Sequence, residues 1–281
     1  MAATGPVLVA GATGNVGGAI VRALAADGVP VRALARRAAP RGLPAGVAAV
    51  RGDLGEPDSL RDALAGAEAA FLLPGFPGLP AVLELARDAG VRRVVLLSGG
   101  SAEGDTRDDA ITQYMRASER AVRDGGVSWT ILRPSGFMSN TLEWADQLRR
   151  GDVVRAPFAD VPIAVIDPAD IAAVAALALR GDEHAGRALR LTGPEPLRPA
   201  DRARILGEAL GGELRFEAQP DDEARAELSA AMPQQYVDAF FSFYVDGQLD
   251  ESVVLPTVEE VTGRPPRTFA QWAAEHAEAF R

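Results

Sequence analysis

The fold is decided by residues 7–18, Val7-Leu8-Val9-Ala10-Gly11-Ala12-Thr13-Gly14-Asn15-Val16-Gly17-Gly18. The apolar start of this stretch predicts a buried β-strand, and residues 19–24 after it have the periodicity of a helix. A strand, a glycine turn and a helix in this order can hold a phosphate, because free N–H groups and the helix dipole attract negative charge at a helix N-terminus. The stretch therefore predicts a dinucleotide site.

Three glycines set the geometry of this turn. Gly11 permits a tight turn, Gly14 lets a pyrophosphate approach the backbone, and Gly17 lets the helix pack closely on the strand. The spacing is Gly-x-x-Gly-x-x-Gly, and the alternative is an ordinary strand-to-helix turn without a ligand. The predicted cofactor contacts in the turn are Gly11, Thr13, Gly14, Asn15, Val16 and Gly17.

The composition excludes several classes of function. The chain has 281 residues, is 47% hydrophobic and carries a net charge of −10, which disfavours nucleic-acid binding. Cysteine is absent, and the two histidines, His184 and His276, lie in polar contexts that predict a solvated surface, so we expect no metal site. No apolar run has the length of a membrane span and no secretion leader is evident, so we expect a cytoplasmic protein without membrane contact.

The basic residues are all arginines, 29 in number, and lysine is absent. Any mechanism that needs a lysine is excluded, including Schiff-base chemistry and the lowering of a catalytic tyrosine's pKa by a neighbouring lysine. The Ala- and Arg-rich composition also fits a GC-rich genome, so the number of arginines carries no functional argument by itself.

The second predicted strand, residues 30–37, ends in Arg36 and Arg37. In a doubly wound sheet this end faces the adenosine ribose, where an enzyme that uses NAD usually has an acid. Two guanidinium groups suit a 2′-phosphate instead, so the sequence predicts NADP(H) in preference to NAD(H). The alternative is that both arginines are solvated loop charges.

Further apolar strands are predicted at 46–54, 69–75, 91–101 and 127–132, alternating with helices. This alternation predicts an α/β fold with a doubly wound parallel sheet, in which ligands bind at the carboxyl ends of the strands. Residues at these ends complete the predicted cofactor site, and they are Asp53, Leu54, Leu73, Pro74, Ser98 and Pro134. The alternative for Asp53 is a simple turn before a helix.

With these motifs the sequence resembles the NmrA-like group of atypical short-chain dehydrogenases/reductases. The resemblance covers essentially the whole chain and rests also on Trp129-Thr130-Ile131-Leu132-Arg133-Pro134, on residues 166–172 and on residues 263–269. It implies a Rossmann fold and an NAD(P) cofactor. It does not imply a substrate, because the family includes quinone, ketone and phenylpropanoid reductases as well as cofactor-sensing regulators without turnover.

In the wider superfamily, a Tyr-x-x-x-Lys pair lies on the helix predicted here at 108–124. This chain has Tyr114 but Ser118 in place of the lysine, so the tyrosine keeps a pKa near ~10 and donates a proton less readily at neutral pH. Tyr114 is therefore the candidate catalytic residue, as a weak acid that orients a carbonyl, and the alternative is a packing residue.

We expect an NADP-binding domain over 1–150 and a smaller α+β substrate lobe over 151–281, interleaved with the sheet. Short strands are predicted in the lobe at 153–155, 163–166, 188–192 and 213–218. The predicted substrate pocket combines a polar loop with apolar and aromatic side chains, and the alternative for the latter is core packing. Its residues are Ser101, Phe137, Met138, Asn140, Trp144, Phe240 and Tyr244.

The sequence thus predicts an NADPH-dependent reductase of a small quinone-like or aromatic or polyketide carbonyl substrate. Two alternatives remain open at this point. One is a non-catalytic NADP sensor that binds a partner protein, and the other is a non-redox natural-product enzyme on the same fold. A monomer or a homodimer is expected.

Overall fold

The structure is a computed structural model that describes residues 5–36, 43–104 and 106–281. Its contacts divide the chain into two compact units. The first unit contains the described parts of 1–102, 114–134 and 168–190, and the second contains those of 103–113, 135–167 and 191–281.

The described residues form nine strands, eleven α-helices and four short 3₁₀ helices. The strands are β1 Val7–Val9, β2 Val31–Ala35, β3 Val47–Arg51, β4 Ala69–Leu72, β5 Arg93–Leu97, β6 Ser128–Pro134, β7 Val153–Ala156, β8 Arg187–Leu191 and β9 Arg215–Ala218. The helices are α1 Asn15–Ala26, α2 Arg61–Leu64, α3 Leu79–Asp88, α4 Ala110–Asp124, α5 Ala145–Leu148, α6 Pro168–Arg180, α7 Pro199–Leu210, α8 Asp221–Ala231, α9 Gln234–Tyr244, α10 Thr257–Thr262 and α11 Phe269–His276. The 3₁₀ helices are Pro57–Leu60, Gly100–Ala102, Met138–Trp144 and Ala277–Phe280.

Seven of the strands form one sheet in the order β3-β2-β1-β4-β5-β6-β8, and β1 to β6 pair in parallel. The predicted doubly wound α/β fold is confirmed. Strand β1 lies between β2 and β4, with Val7 paired to Val31 on one side and to Ala69 on the other. The strand order reverses at this point, and ligands of such sheets bind beside it at the carboxyl ends.

Burial explains why the sheet forms where the apolar runs lie. Every residue of β1, β4 and β5 is buried, as expected for central strands that are covered on both faces. Helix α1 packs against α6, and its buried residues include Ile20 and Leu24, which recur at helical spacing. The core therefore holds β1 rigidly beneath the glycine turn.

The second unit has its own core and a small parallel sheet of β7 and β9. Its core includes Met138, Phe269 and Trp272, each at most 1% exposed. Helix α7 packs against α11 and β9. A packed frame of this kind fixes the side chains on the inner face of α7.

The structure differs from the sequence expectations in two places. Residues 163–166 form no strand, because only single bridges join Ile163 to Leu197 and Phe137 to Ile166. The division of the chain also does not fall at residue 150, since 168–190 belongs to the first unit and 135–150 to the second. The physical reason is that α6 covers the large sheet, whereas the segment after β6 packs in the second core.

None of the helices in the described ranges is long and apolar enough to span a membrane.

Candidate functional site

The glycine turn after β1 has the backbone geometry that its sequence predicts. Gly11 has φ +64°, a left-handed conformation that glycine adopts without strain. A Cβ atom on Gly17 would lie 2.2 Å from the carbonyl oxygen of Gly11, so helix and turn approach too closely for any side chain. The positive φ of Gly11 and the close packing at Gly17 agree with the tight turn that the sequence predicts, and cofactor contacts of both residues stay predictions.

Helix α1 begins directly after this turn, with Gly14 as its N-cap. Within the described part of the chain no side chain caps the helix, and its first turn has no acid. Free N–H groups at an uncapped, uncharged N-terminus form a site for an anion. Together with the close approach at Gly17, this cradle fits a dinucleotide pyrophosphate.

A cavity of about 450 Å³ opens beside the turn, at the carboxyl ends of β1 to β4. It brings together six of the predicted cofactor residues, Gly11, Thr13, Arg36, Asp53, Leu54 and Leu73. Five further lining residues were missed, namely Ala10, Leu34, Ala35, Gly52 and Phe76. Three of the five directly adjoin predicted residues, whereas Leu34 lies two positions before Arg36 and Phe76 two positions after Pro74.

The wall at the end of β2 includes a free cation. Arg36 is exposed, lines the cavity and forms no ion pair with any residue that the structure describes. Arg37, the second predicted arginine, lies outside the described residues. A guanidinium at this place can bind a phosphate through two parallel hydrogen bonds.

Asp53 shapes the wall at the end of β3. Its Oδ1 accepts a hydrogen bond of 2.9 Å from the N–H of Gly55, and its own N–H bonds the hydroxyl of Ser59. The turn that the alternative interpretation expects is therefore present. Because Asp53 also lines the cavity, an adenine contact through this residue stays a prediction.

The remaining predicted cofactor residues do not line this cavity. Gly14, Asn15, Val16 and Gly17 form the start of α1, and Pro74 follows β4. Ser98 directly follows β5, Pro134 is the last residue of β6, and both residues are buried. Ser101, predicted for the substrate pocket, lies in the 3₁₀ turn 100–102 and is 4% exposed.

A buried carboxylate that sequence reasoning missed lies behind Ser98. Glu119 on α4 is 1% exposed and accepts hydrogen bonds from Ser98 Oγ at 2.7 Å and from Arg133 Nε at 2.9 Å. Its second oxygen accepts from Arg133 Nη2 and from Arg123. Burial raises the pKa of Glu119, but these hydrogen bonds outweigh burial and hold the pKa below its ordinary value. The carboxylate therefore ties the carboxyl ends of β5 and β6 to α4.

Ser118, in the superfamily lysine's position, has a structural role. Its Oγ accepts a hydrogen bond from the N–H of Gly75 at 2.9 Å and donates one to the carbonyl of Tyr114 at 2.8 Å. The tyrosine ring packs beside Gly75, where an added Cβ would lie 3.4 Å from Cδ2. Tyr114 and Ser118 also line a second cavity of about 220 Å³. Acid catalysis by Tyr114 stays a prediction.

The predicted substrate residues of the second unit divide into buried and accessible ones. Met138 is 0% and Trp144 is 6% exposed, and both pack in the core of this unit, as the packing alternative expects. Phe137 is partly exposed and Asn140 is exposed. Accessible surface for a ligand is therefore offered by Phe137 and Asn140 rather than by Met138.

An aromatic cluster surrounds the end of α9. The Phe240 ring stacks on that of Tyr244, with ring centroids 6.3 Å apart. The ring centroids of Phe158 and Tyr244 are 5.1 Å apart. Phe158 has φ +55°, which is rare for a bulky side chain and marks local backbone strain. The hydroxyl of Tyr244 donates a 3.0 Å hydrogen bond to Glu251. Phe158 and Glu251 were missed, because neither belongs to a recognisable motif.

The two histidines are partly buried rather than fully solvated, which corrects the expectation. His276 stacks on Trp272, with ring centroids 4.6 Å apart. Burial, followed by the charge of Arg187, lowers the pKa of His184. Among the described residues, no group of three or more His, Asp or Glu side chains could hold a metal ion.

A strand–glycine turn–helix cradle beside a cavity at a switch point defines a dinucleotide-binding protein of the Rossmann type. The comparisons with known proteins agree. A family model described as NAD(P)H-binding matches residues 11–181. The chain is 45% identical to the (4-alkanoyl-5-oxo-2,5-dihydrofuran-3-yl)methyl phosphate reductase of Streptomyces griseus, over 98% of this chain and 99% of the relative.

Two further proteins are similar over nearly their whole length. An NAD(P)H azoreductase from Xenophilus azovorans is 36% identical over 98% of this chain and 99% of its own. The NADPH-dependent quinone oxidoreductase of Escherichia coli, solved with NADPH, is 25% identical with a TM-score of 0.77, over 96% of this chain and 98% of its own. The chain belongs to the NmrA-like family of atypical short-chain dehydrogenases/reductases and is an NAD(P)H-dependent oxidoreductase.

Proposed function

We propose that the chain is an NADPH-dependent reductase of a small, planar, conjugated carbonyl compound such as a quinone or an unsaturated lactone. The observation that carries the substrate class is the pair Tyr114 and Ser118. The hydroxyl of Ser118 is hydrogen-bonded to the N–H of Gly75 and to the carbonyl of Tyr114. The chain also has no lysine that could lower the pKa of the tyrosine. An acceptor that spreads negative charge by conjugation needs little help from an acid.

The names of two of the three similar proteins agree with this class, whereas the third is named for an azo compound. The Streptomyces relative is named for a 5-oxo-2,5-dihydrofuran carrying an alkanoyl group and a methyl phosphate, and the E. coli structure for a quinone. Both kinds of molecule contain a conjugated carbonyl.

The preference for NADPH over NADH rests on Arg36. Its exposed guanidinium lines the cavity, and its position at the end of β2 suits the 2′-phosphate of the adenosine ribose. When NADPH is bound, the nicotinamide supplies the hydride.

The chain's own residues then position the cofactor and the acceptor. The glycine cradle holds the pyrophosphate, and Gly11, Asp53, Leu54, Leu73 and Phe76 surround the adenosine half. Ser98, Ser101 and Pro134 serve the nicotinamide half, and Phe137, Asn140, Phe240 and Tyr244 receive the acceptor. Accurate positioning alone contributes several kcal/mol to the rate, roughly 7–11 kcal/mol in the best cases.

Steady-state oxidation of NADPH in the absence of oxygen tests the proposal. We expect turnover with a quinone and with an alkanoyl dihydrofuranone, and at least about tenfold slower turnover with an unactivated ketone such as cyclohexanone. In a Tyr114→Phe variant the quinone rate should stay within about twofold. Faster reduction of the ketone than of the quinone would overturn the proposed substrate class.

A further inference from the structure

One cation in the second unit has no ion-pair partner among the residues that the structure describes. Arg202 lies on α7, and its Nε is buried and makes no hydrogen bond within the part of the chain that the structure describes. No ion pair to its guanidinium is formed by the described residues either. The next arginine on the same helix contrasts with it, because Arg204 is exposed and pairs with Glu208 at 2.7 Å.

The guanidinium of Arg202 lies over an aromatic ring. Its central carbon lies 5.1 Å from the centroid of Trp144. A guanidinium over an indole face gains a cation–π attraction, and guanidinium N–H groups bind oxyanions through two parallel hydrogen bonds.

The charges around Arg202 leave it a cation. Burial lowers its pKa to about 10, while Tyr244 and Glu143 act in the opposite direction. Burial and the neighbouring Glu251 raise the pKa of Tyr244 well above 10, so this phenol is neutral at physiological pH. Glu143 forms no ion pair with Arg202 among the described residues, and burial raises the pKa of this carboxyl although the charge of Arg202 acts in the opposite direction. Its carboxylate therefore compensates the charge of Arg202 only in part.

A partly buried cation without a paired anion raises the free energy of the folded state until an anion binds to it. The geometry points to Arg202 as the oxyanion-binding residue of the acceptor pocket, where it takes a phosphate monoester or a carboxylate carried by the acceptor. This inference rests on the proposed function, since Tyr244, which interacts electrostatically with Arg202, is an acceptor-pocket residue there. A phosphate monoester is the better ligand, because it has about twice the charge.

Direct binding tests the inference without turnover. The protein is saturated with NADP⁺, which blocks the cofactor's own phosphate sites, and is titrated calorimetrically with phenyl phosphate, benzoate and phenol. We expect the wild type to bind phenyl phosphate at least about tenfold more tightly than phenol, with benzoate between them. Arg202→Gln should abolish this difference, and Arg202→Lys should retain part of it.

Two further variants sharpen the test. Arg204→Gln removes an exposed, paired arginine from the same helix and should leave all three affinities within about twofold. Glu143→Gln removes the competing carboxylate and should tighten phenyl phosphate binding by about two- to threefold. Unchanged affinity for phenyl phosphate in Arg202→Gln, or an equal loss in Arg204→Gln, would overturn the inference.

Turnover separates this inference from the proposed function. A dihydrofuranone methyl phosphate and its dephosphorylated alcohol are compared as acceptors, and Arg202→Gln should raise the KM of the phosphate alone by about tenfold or more. If no acceptor is reduced but Arg202 still discriminates phenyl phosphate, the proposed function fails and the oxyanion site stands. If both acceptors are reduced with the same KM in wild type and Arg202→Gln, the oxyanion site fails and the proposed function stands.

Discussion

At the scale of single residues, the chain carries few chemically active groups, and their surroundings decide their roles. It has neither cysteine nor lysine, so arginine is the cation at each anion site. Arg36 is exposed beside a cavity, whereas Arg133 forms an ion pair with the buried Glu119. The same kind of side chain is therefore accessible to a ligand in one place and a structural tie in the other.

The first prediction concerns cofactor choice. Replacing Arg36 by Ala removes a charge-assisted contact worth roughly 1.5–3 kcal/mol, so the KM for NADPH should rise about ten- to hundredfold while the KM for NADH stays within about twofold. The measurement is the initial rate with each cofactor and one quinone. Arg61→Ala, at an exposed arginine that pairs with Asp58, is the control and should change neither value. Equal losses with NADH and NADPH would contradict the role of Arg36.

At the scale of elements, the start of α1 and the end of β1 act as one unit. A Cβ atom added to Gly17 would lie 2.2 Å from the carbonyl oxygen of Gly11. A Cβ atom added to Gly18, the next residue of the helix, would have its nearest neighbour at 3.4 Å. The helix can therefore tolerate a side chain at one position and not at the other.

This difference gives a matched pair of variants. Gly17→Ala should push α1 from the turn and weaken NADP⁺ binding by about tenfold or more, together with a loss of stability of several kcal/mol. Gly18→Ala should bind NADP⁺ normally and gain up to about 1 kcal/mol of helix stability. Urea unfolding and NADP⁺ titration of both variants make the comparison, and normal binding by Gly17→Ala would contradict the proposed cradle.

A second prediction at this scale concerns the tie between α4, β5 and β6. Glu119→Ala leaves Arg133 partly buried without its carboxylate, so the free energy of unfolding should fall by roughly 3–5 kcal/mol. Ser98→Ala removes one hydrogen bond to the same carboxylate and should cost about 1 kcal/mol. Denaturant unfolding measures both, and equal small losses would show that Glu119 does not hold these elements together.

At the scale of the whole molecule, the same carboxylate links stability to pH. Its pKa is lowered in the folded state, so its contribution is fully present above the carboxyl pKa of the unfolded chain, about 4.3, and is lost as the pH falls through the folded value. The stability advantage of the wild type over Glu119→Gln should therefore be constant from about pH 7 to pH 5 and shrink below about pH 4. Glu208→Gln, at an exposed surface pair, should show no such trend. An advantage that persists unchanged at the lowest pH would contradict the lowered pKa.

The sequence predicted those parts of the molecule that depend on local pattern. The buried strands, the glycine turn and Arg36 follow from apolar runs and from residues at strand ends, and the structure brings six predicted residues into one cavity. Contacts between residues that lie far apart in the sequence could not be predicted. The ties of Glu119 to Ser98 and of Arg202 to Trp144 join residues 21 and 58 positions apart, and no local period marks such partners. The strand expected at 163–166 does not form for the same reason, because its residues make only single bridges with distant parts of the chain.

The proposed reaction is the transfer of a hydride from bound NADPH to a conjugated acceptor. A single turnover with NADPH deuterated at the transferred position of nicotinamide C4 tests it most directly, with protein in excess of cofactor and a dihydrofuranone as acceptor. The account predicts one equivalent of NADP⁺ and one of reduced lactone, with deuterium on a carbon of the product. Saturating NADPH binding with no cofactor oxidation, or product without deuterium, would contradict it.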